Sequence, residues 1–139
     1  MNKYDTLEPG FKEKIGELCT ILGTMGIICI VTSGRRTIEE QNNLYAQGRT
    51  NGGRIVTKAK GGQSPHNFGL AADLCPYKPN SKELWWNCPD DIWHAIHDVA
   101  ESLGLDSGYD WSFQDCPHVE DRTWKQTQAL WKEGKIQVA

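Results

Sequence analysis

The sequence predicts an α+β fold, and three observations carry that expectation. Apolar residues recur at helical spacing in several separate stretches. Short β-branched or alternating runs lie between them. The resulting order is helix, strand, helix, long loop, strand, helix, strand, strand, helix, which lacks the regular alternation that builds a parallel α/β sheet. With 139 residues the chain is expected to form one domain over 1–139.

Each element has a local reason. Leu7, Phe11, Ile15, Leu18, Cys19 and Leu22 form one stripe of an amphipathic helix that Gly23 ends. The run IICIVT (27–32) is continuous and β-branched, the signature of a buried strand. Thr37 and Glu40 have capping-box spacing, so a helix begins after Thr37, carries Gln41, Leu44 and Tyr45, and ends at Gly48. From 48 to 65 glycines cluster and no apolar period survives. A loop this long in a small domain is usually functional. Its part 48–63 holds Arg49, Arg54, Lys58 and Lys60 and no acid. That leaves two readings open, a solvated loop or a rim that attracts an anionic substrate. Residues 69–75 (GLAADLC) form a short strand. Asp90 or Asp91 can cap a helix with Ile92, Trp93, Ile96, Val99, Ala100 and Leu103 on its apolar face, stopped by Gly104. Tyr109, Trp111 and Phe113 alternate like a strand or extended edge. Thr123 and Gln126 repeat the capping-box spacing before a last helix with Trp124, Thr127, Gln128 and Trp131 on one side and Gly134 at its end.

Composition excludes several classes. Hydrophobic residues make up 38% and there are six tryptophans, enough to fill a core, so disorder is not expected. The net charge of −3 lacks the basic footprint of a nucleic-acid binder and any polybasic membrane anchor. The apolar run 27–31 is far short of the roughly 20 residues that span a bilayer. The N-terminal stretch MNKYDTLEPG has no apolar h-region, so a protein made in the cytoplasm without a secretory signal is expected. The five cysteines are odd in number and form no CxxC pair, which points to reduced, mostly buried thiols. A monomer with no stable membrane association is expected.

The four histidines divide into two kinds. His94 and His97 lie i,i+3 in an ordinary amphipathic helix, and no nearby residue completes a metal site. His66 and His118 sit in unusual surroundings. His66 ends a glycine-rich loop in Ser64-Pro-His66-Asn-Phe-Gly69-Leu-Ala71-Ala-Asp73, where Pro65 and Gly69 favour a non-helical path that can fold His66 and Asp73 together. His118 lies in Asp115-Cys116-Pro117-His118-Val119-Glu120, and Pro117 biases Cys116 to extended geometry. Two imidazoles and one carboxylate, with an acid left over, are the inventory of a catalytic zinc centre with its fourth position open to water.

These residues carry a resemblance. Segment 64–73 matches the SxHxxGxAxD signature of the zinc D-Ala-D-Ala carboxypeptidase family at Ser64, His66, Gly69, Ala71 and Asp73. That family includes the L-alanyl-D-glutamate endopeptidases of phage endolysins. Its downstream element is found as Asp115…His118-Val-Glu120, and its upstream element as Gly34-Arg35-Arg36-Thr37 with Gln41 and Leu44. Segment 44–50 (LYAQGRT) resembles the endolysin branch in particular. The resemblance implies a small antiparallel sheet flanked by helices, in the DD-peptidase and hedgehog manner. It implies that His66, Asp73 and His118 bind Zn²⁺ and that Asp115 is the general base. Arg36, with Arg35 as an adjacent rival, would stabilise the oxyanion, while Ser64 and Gln41 would hold substrate. Gly69 and Ala71 would let backbone pass close to the metal. The implied activity is a zinc-dependent peptidoglycan peptidase cutting the stem peptide at L-Ala–D-Glu, as a phage-type endolysin released to the cell wall. The alternatives are a D-Ala-D-Ala carboxypeptidase and a non-catalytic zinc-bearing virion or binding module. Cys116 has no assigned role: a Cys/His peptidase would use it as nucleophile, but no helix N-terminus follows directly to lower its pKa.

Overall fold

A computed structural model describes residues 2–139. Its elements are α1 (Pro9–Thr24), β1 (Cys29–Ser33), α2 (Ile38–Ala46), β2 (Ala71–Pro76), α3 (Asp90–Ser102), β3 (Leu105–Gly108), β4 (Asp115–Asp121) and α4 (Trp124–Lys132). Short 3₁₀ turns cover Lys3–Thr6 and Pro65–Phe68. The order matches the expectation, and the class is α+β. One antiparallel sheet has the strand order β1-β2-β4-β3.

The helices form where the sequence places their start signals. Pro9 sits in the first turn of α1, where its missing N–H is no loss, and the Glu8 carboxylate accepts from the amides of Gly10 and Phe11. Phe11, Ile15, Leu18 and Leu22 are buried along one stripe. That stripe packs on α3, whose Trp93, Ile96, Val99 and Ala100 are buried. In α2 both bonds of the capping box form at 3.0 Å, from Glu40 N to Thr37 Oγ1 and from Thr37 N to Glu40 Oε1. Leu74, Leu105 and Val119 add the sheet side of the core.

Four expectations need correction. The first helix runs past Gly23 to Thr24, because its apolar stripe holds the turn through Leu22. Neither Asp90 nor Asp91 caps α3: Pro89 occupies that position, and Asp90 instead accepts a bond from the Tyr109 hydroxyl. Residues 109–113 are not a strand. They form the connection between β3 and β4, and Trp111 and Phe113 are exposed. The second capping box does not form, since the Thr123 hydroxyl donates to Asp121 Oδ1 at 2.7 Å.

The sheet positions the site. Across β2 and β4, Ala71 faces Glu120, Ala72 faces Val119 and Asp73 faces His118. Side chains alternate along a strand, so Ala72 and Val119 enter the core while Asp73, His118 and Glu120 share the other face. The register shifts between Val31 and Ser33 on β1, and between Ser107 and Gly108 where β3 meets β4. Pro117, which has no N–H for a ladder, lies within the second irregularity. Among the described residues no helix is long and apolar enough to cross a membrane.

Candidate metal centre

The turn that carries His66 is built by its neighbours. Ser64 Oγ accepts from His66 N at 3.2 Å and so caps Pro65–Phe68. Gly69 closes the turn in the left-handed conformation, φ +68°. A Cβ there would lie 2.5 Å from Arg35 Nη2 and 2.9 Å from Glu8 N, so no side chain fits. The glycine therefore serves this turn and its packing on the N-terminal segment, rather than an approach of backbone to a metal. Asn67, buried beside His66, donates to the carbonyls of Arg36 and Thr37 and accepts from Gly62 N. One amide thus ties the turn to the start of α2 and to the glycine-rich loop.

His66, Asp73 and His118 come together. Asp73 Oδ1 lies 3.6 Å from His66 Nε2 and 3.4 Å from His118 Nδ1. These are too long for good hydrogen bonds, and Oδ1 is buried without a hydrogen-bond partner. They match the spacing of donors about 2 Å from a shared tetrahedral ion, which is about 3.3 Å. The other ring nitrogens are occupied. His66 Nδ1 lies 2.7 Å from the Gly34 carbonyl, which can only accept, so Nδ1 carries the proton. His118 Nε2 donates to Glu120 Oε1 at 2.7 Å. Both partners leave the lone pairs of His66 Nε2 and His118 Nδ1 turned toward Asp73. The donor set fits a divalent ion such as Zn²⁺, with a fourth position open.

Electrostatics follow from burial and pairing. Burial lowers the pKa of His66. Burial works the same way on His118, but Asp73 and Glu120 outweigh it and raise that imidazole to about 9 in the absence of metal. Burial acts to raise the Asp73 carboxyl, but the neighbouring His118 and His66 rings outweigh it and hold Asp73 well below the usual carboxylate range. Asp115 lies in the same cleft of about 400 Å³, and burial pushes its carboxyl up, opposed by His118.

The two arginines separate cleanly. Arg35 Nε donates to the Thr6 carbonyl, away from the cleft. Arg36 lines the cleft and donates to Gln41 Oε1 at 3.2 Å, Ser33 Oγ at 3.0 Å and Asp73 Oδ2 at 3.3 Å. Gln41 is fully buried, with its other amide end on the Ala59 carbonyl, so it does not reach a substrate. It instead fixes Arg36 against the basic loop. Ser64 lines the cleft but is 5% exposed, with its oxygen engaged in the cap.

Several participants escape a linear reading. Glu120 is visible in the downstream motif, but its bond to His118 appears only once both lie two apart on one face of β4. The Trp111 ring lies 5.1 Å from that of His118, and Val56, Lys58 and Phe113 line the same cleft. Cys116 packs against the core and burial raises its thiol pKa, which does not poise it as a nucleophile. His97 does gain possible co-ligands, since Glu101 and Asp110 gather with it. A larger hollow of about 750 Å³, lined by Ile28, Tyr77 and Trp85 among others, contains no histidine or carboxylate.

Comparisons with known proteins identify the family and the fold. Residues 57–121 match the model of a family described as D-alanyl-D-alanine carboxypeptidase. The chain is 38% identical over 122 residues to the peptidoglycan L-alanyl-D-glutamate endopeptidase CwlK of Bacillus subtilis (strain 168), covering 82% of this chain and 72% of that protein. The Serratia marcescens L-Ala D-Glu endopeptidase ChiX has a TM-score of 0.62 at 18% identity, over 89% of this chain and 86% of that one. A vancomycin-resistance D,D-pentapeptidase VanY variant in complex with Zn(II) has the same TM-score at 16% identity, over 92% and 79%. The two structural likenesses establish the fold.

Proposed function

The chain belongs to the D-alanyl-D-alanine carboxypeptidase family and is a metallopeptidase, and from this premise we propose that it cleaves the peptidoglycan stem peptide at the L-Ala–D-Glu bond. In this proposal His66, Asp73 and His118 hold Zn²⁺. The observation that carries it is the unpartnered, buried Asp73 Oδ1 between two imidazole nitrogens whose opposite ring positions are engaged. The choice of bond is supported by the 38% identity to an L-alanyl-D-glutamate endopeptidase.

When bound, zinc supplies Lewis acidity and lowers the pKa of water to about 7. Asp115 accepts the proton of the attacking water and later returns it to the leaving amine. Its raised pKa suits both duties, since it can hold a proton between the two steps. Arg36, held by Ser33 and Gln41, presents its guanidinium where negative charge develops on the carbonyl oxygen. Trp111, Phe113 and Val56 give the cleft an apolar part of its lining. The proposal treats 1–139 as one catalytic domain that acts on the cell wall. A phage-type role in host lysis belongs to it, supported by segment 44–50.

Mass spectrometry of purified peptidoglycan, digested by zinc-loaded protein, tests the reading, with Asp115→Ala as control. New L-Ala carboxyl and D-Glu amino termini are expected. Release of terminal D-Ala alone would make the protein a carboxypeptidase. No cleavage with zinc bound would make it a binding module.

A further inference from the structure

The basic loop contributes one uncommitted cation to the cleft. Arg49 and Lys60 lie over the Tyr45 ring, at 3.9 and 5.3 Å from its centre. Arg36 is held by Gln41, Ser33 and Asp73 and is assigned to the developing oxyanion. Lys58 is exposed and forms no ion pair among the described residues. Its ammonium sits 5.7 Å from the centre of the Phe113 ring, so the contact joins the basic loop to the connection between β3 and β4 at the cleft. Arg36 and Lys58 are the only lysine or arginine residues lining that cleft, against the carboxylates of Asp73, Asp115 and Glu120. Asp73 and Glu120 are tied to the histidines and Asp115 is kept for proton transfer, so Lys58 is the cation left for a charged group of the substrate.

We propose that Lys58 determines specificity by receiving the free carboxylate of the acidic residue that follows the scissile bond. The inference rests on cleavage before D-glutamate. A glutamyl residue has two carboxyl groups, and the chain continues from only one. The other remains a carboxylate a few bonds from the scissile nitrogen. The flexible four-carbon stem of Lys58 lets the ammonium follow that group, which a fixed guanidinium could not. Phe113 and Val56 beside it shed water as the peptide settles, which strengthens the ion pair.

The test uses two synthetic stem peptides that differ only at this position, one with the free carboxylate and one with its primary amide. The zinc-loaded full chain is compared with Lys58→Gln and Lys58→Glu. Wild type is expected to favour the acid peptide in kcat/KM by about tenfold, the scale of one partly exposed charge-assisted bond. Lys58→Gln should remove that preference by slowing the acid peptide alone, with zinc content unchanged. Lys58→Glu should invert it. Retention of the wild-type preference by Lys58→Gln, or an equal loss on both peptides, overturns the proposal. If wild type releases terminal D-Ala but leaves the bond before D-glutamate intact, the choice of bond fails first and this inference falls with it.

Discussion

Two clusters in this molecule have nearly the same chemical inventory, and only one is built like a metal site. His66, Asp73 and His118 are one; His97, Glu101 and Asp110 are the other. In the first, Gly34 and Glu120 fix both imidazole tautomers, and Asp73 is left with an oxygen that no protein group satisfies. In the second, His97 Nδ1 is also buried without a partner, but no group orients the carboxylates toward the ring: Glu101 is already bonded to Arg122 at 3.0 Å, and Asp110 is 63% exposed at 4.0 Å from His97. Solvent can satisfy those carboxylates at little cost. The difference teaches that ligand types in proximity are not enough. What distinguishes a site is a second layer that orients each donor, together with burial that makes an empty centre costly.

Five substitutions can break or sharpen this contrast. The largest effect is expected from His66→Ala, which should abolish both zinc binding at neutral pH and hydrolysis. His97→Ala should leave the zinc content as it is in wild type. Metal analysis of the two purified variants decides, and a fall in bound zinc in His97→Ala would make the second cluster a site after all. Next comes Asp115→Ala, expected to lower kcat by about 10²–10⁴ while retaining metal. Loss of zinc from that variant would turn Asp115 into a ligand. Glu120→Gln should weaken zinc affinity or activity by about 10–100-fold, the usual effect of disturbing a ligand's outer partner, read by titration with a competing chelator. The smallest effect belongs to Cys116→Ser, which should keep most of the activity. A near-total loss with zinc still bound would reinstate the thiol as nucleophile.

Much of the fold and the centre of the site could be read from the chain, for a physical reason. Helix stripes, the first capping box, the β-branched run and the SxHxxGxAxD segment are local patterns, each contained within about one element. What could not be read depends on register and packing. Trp111 and Phe113 alternate as a strand would, yet they lie in the irregular connection between β3 and β4 and line the cleft beside His118. Gln41 stood beside the upstream motif as a substrate contact, but its burial under Ala59 makes it a support for Arg36. That carboxylates gather near His97 could not be read, because Asp110 arrives from beyond β3, outside the helix that carries His97. Thr123 had the spacing of a capping box, but Asp121 competes for its hydroxyl at closer range.

The pairing of Asp73 with His118 has a consequence for when the protein becomes active. The two strands lie far apart in sequence, with α3 and β3 formed between them. Such non-local pairing is slow, since a long loop must close before any contact rewards it. Until β4 docks, a growing chain offers an ion only His66 and Asp73, an incomplete chelate. In the proposed metal centre, capture of the ion would therefore be a late event that reports a finished sheet, and an ion held across β2 and β4 would brake their separation. The enzyme would arm itself only once assembled, and would then come apart reluctantly.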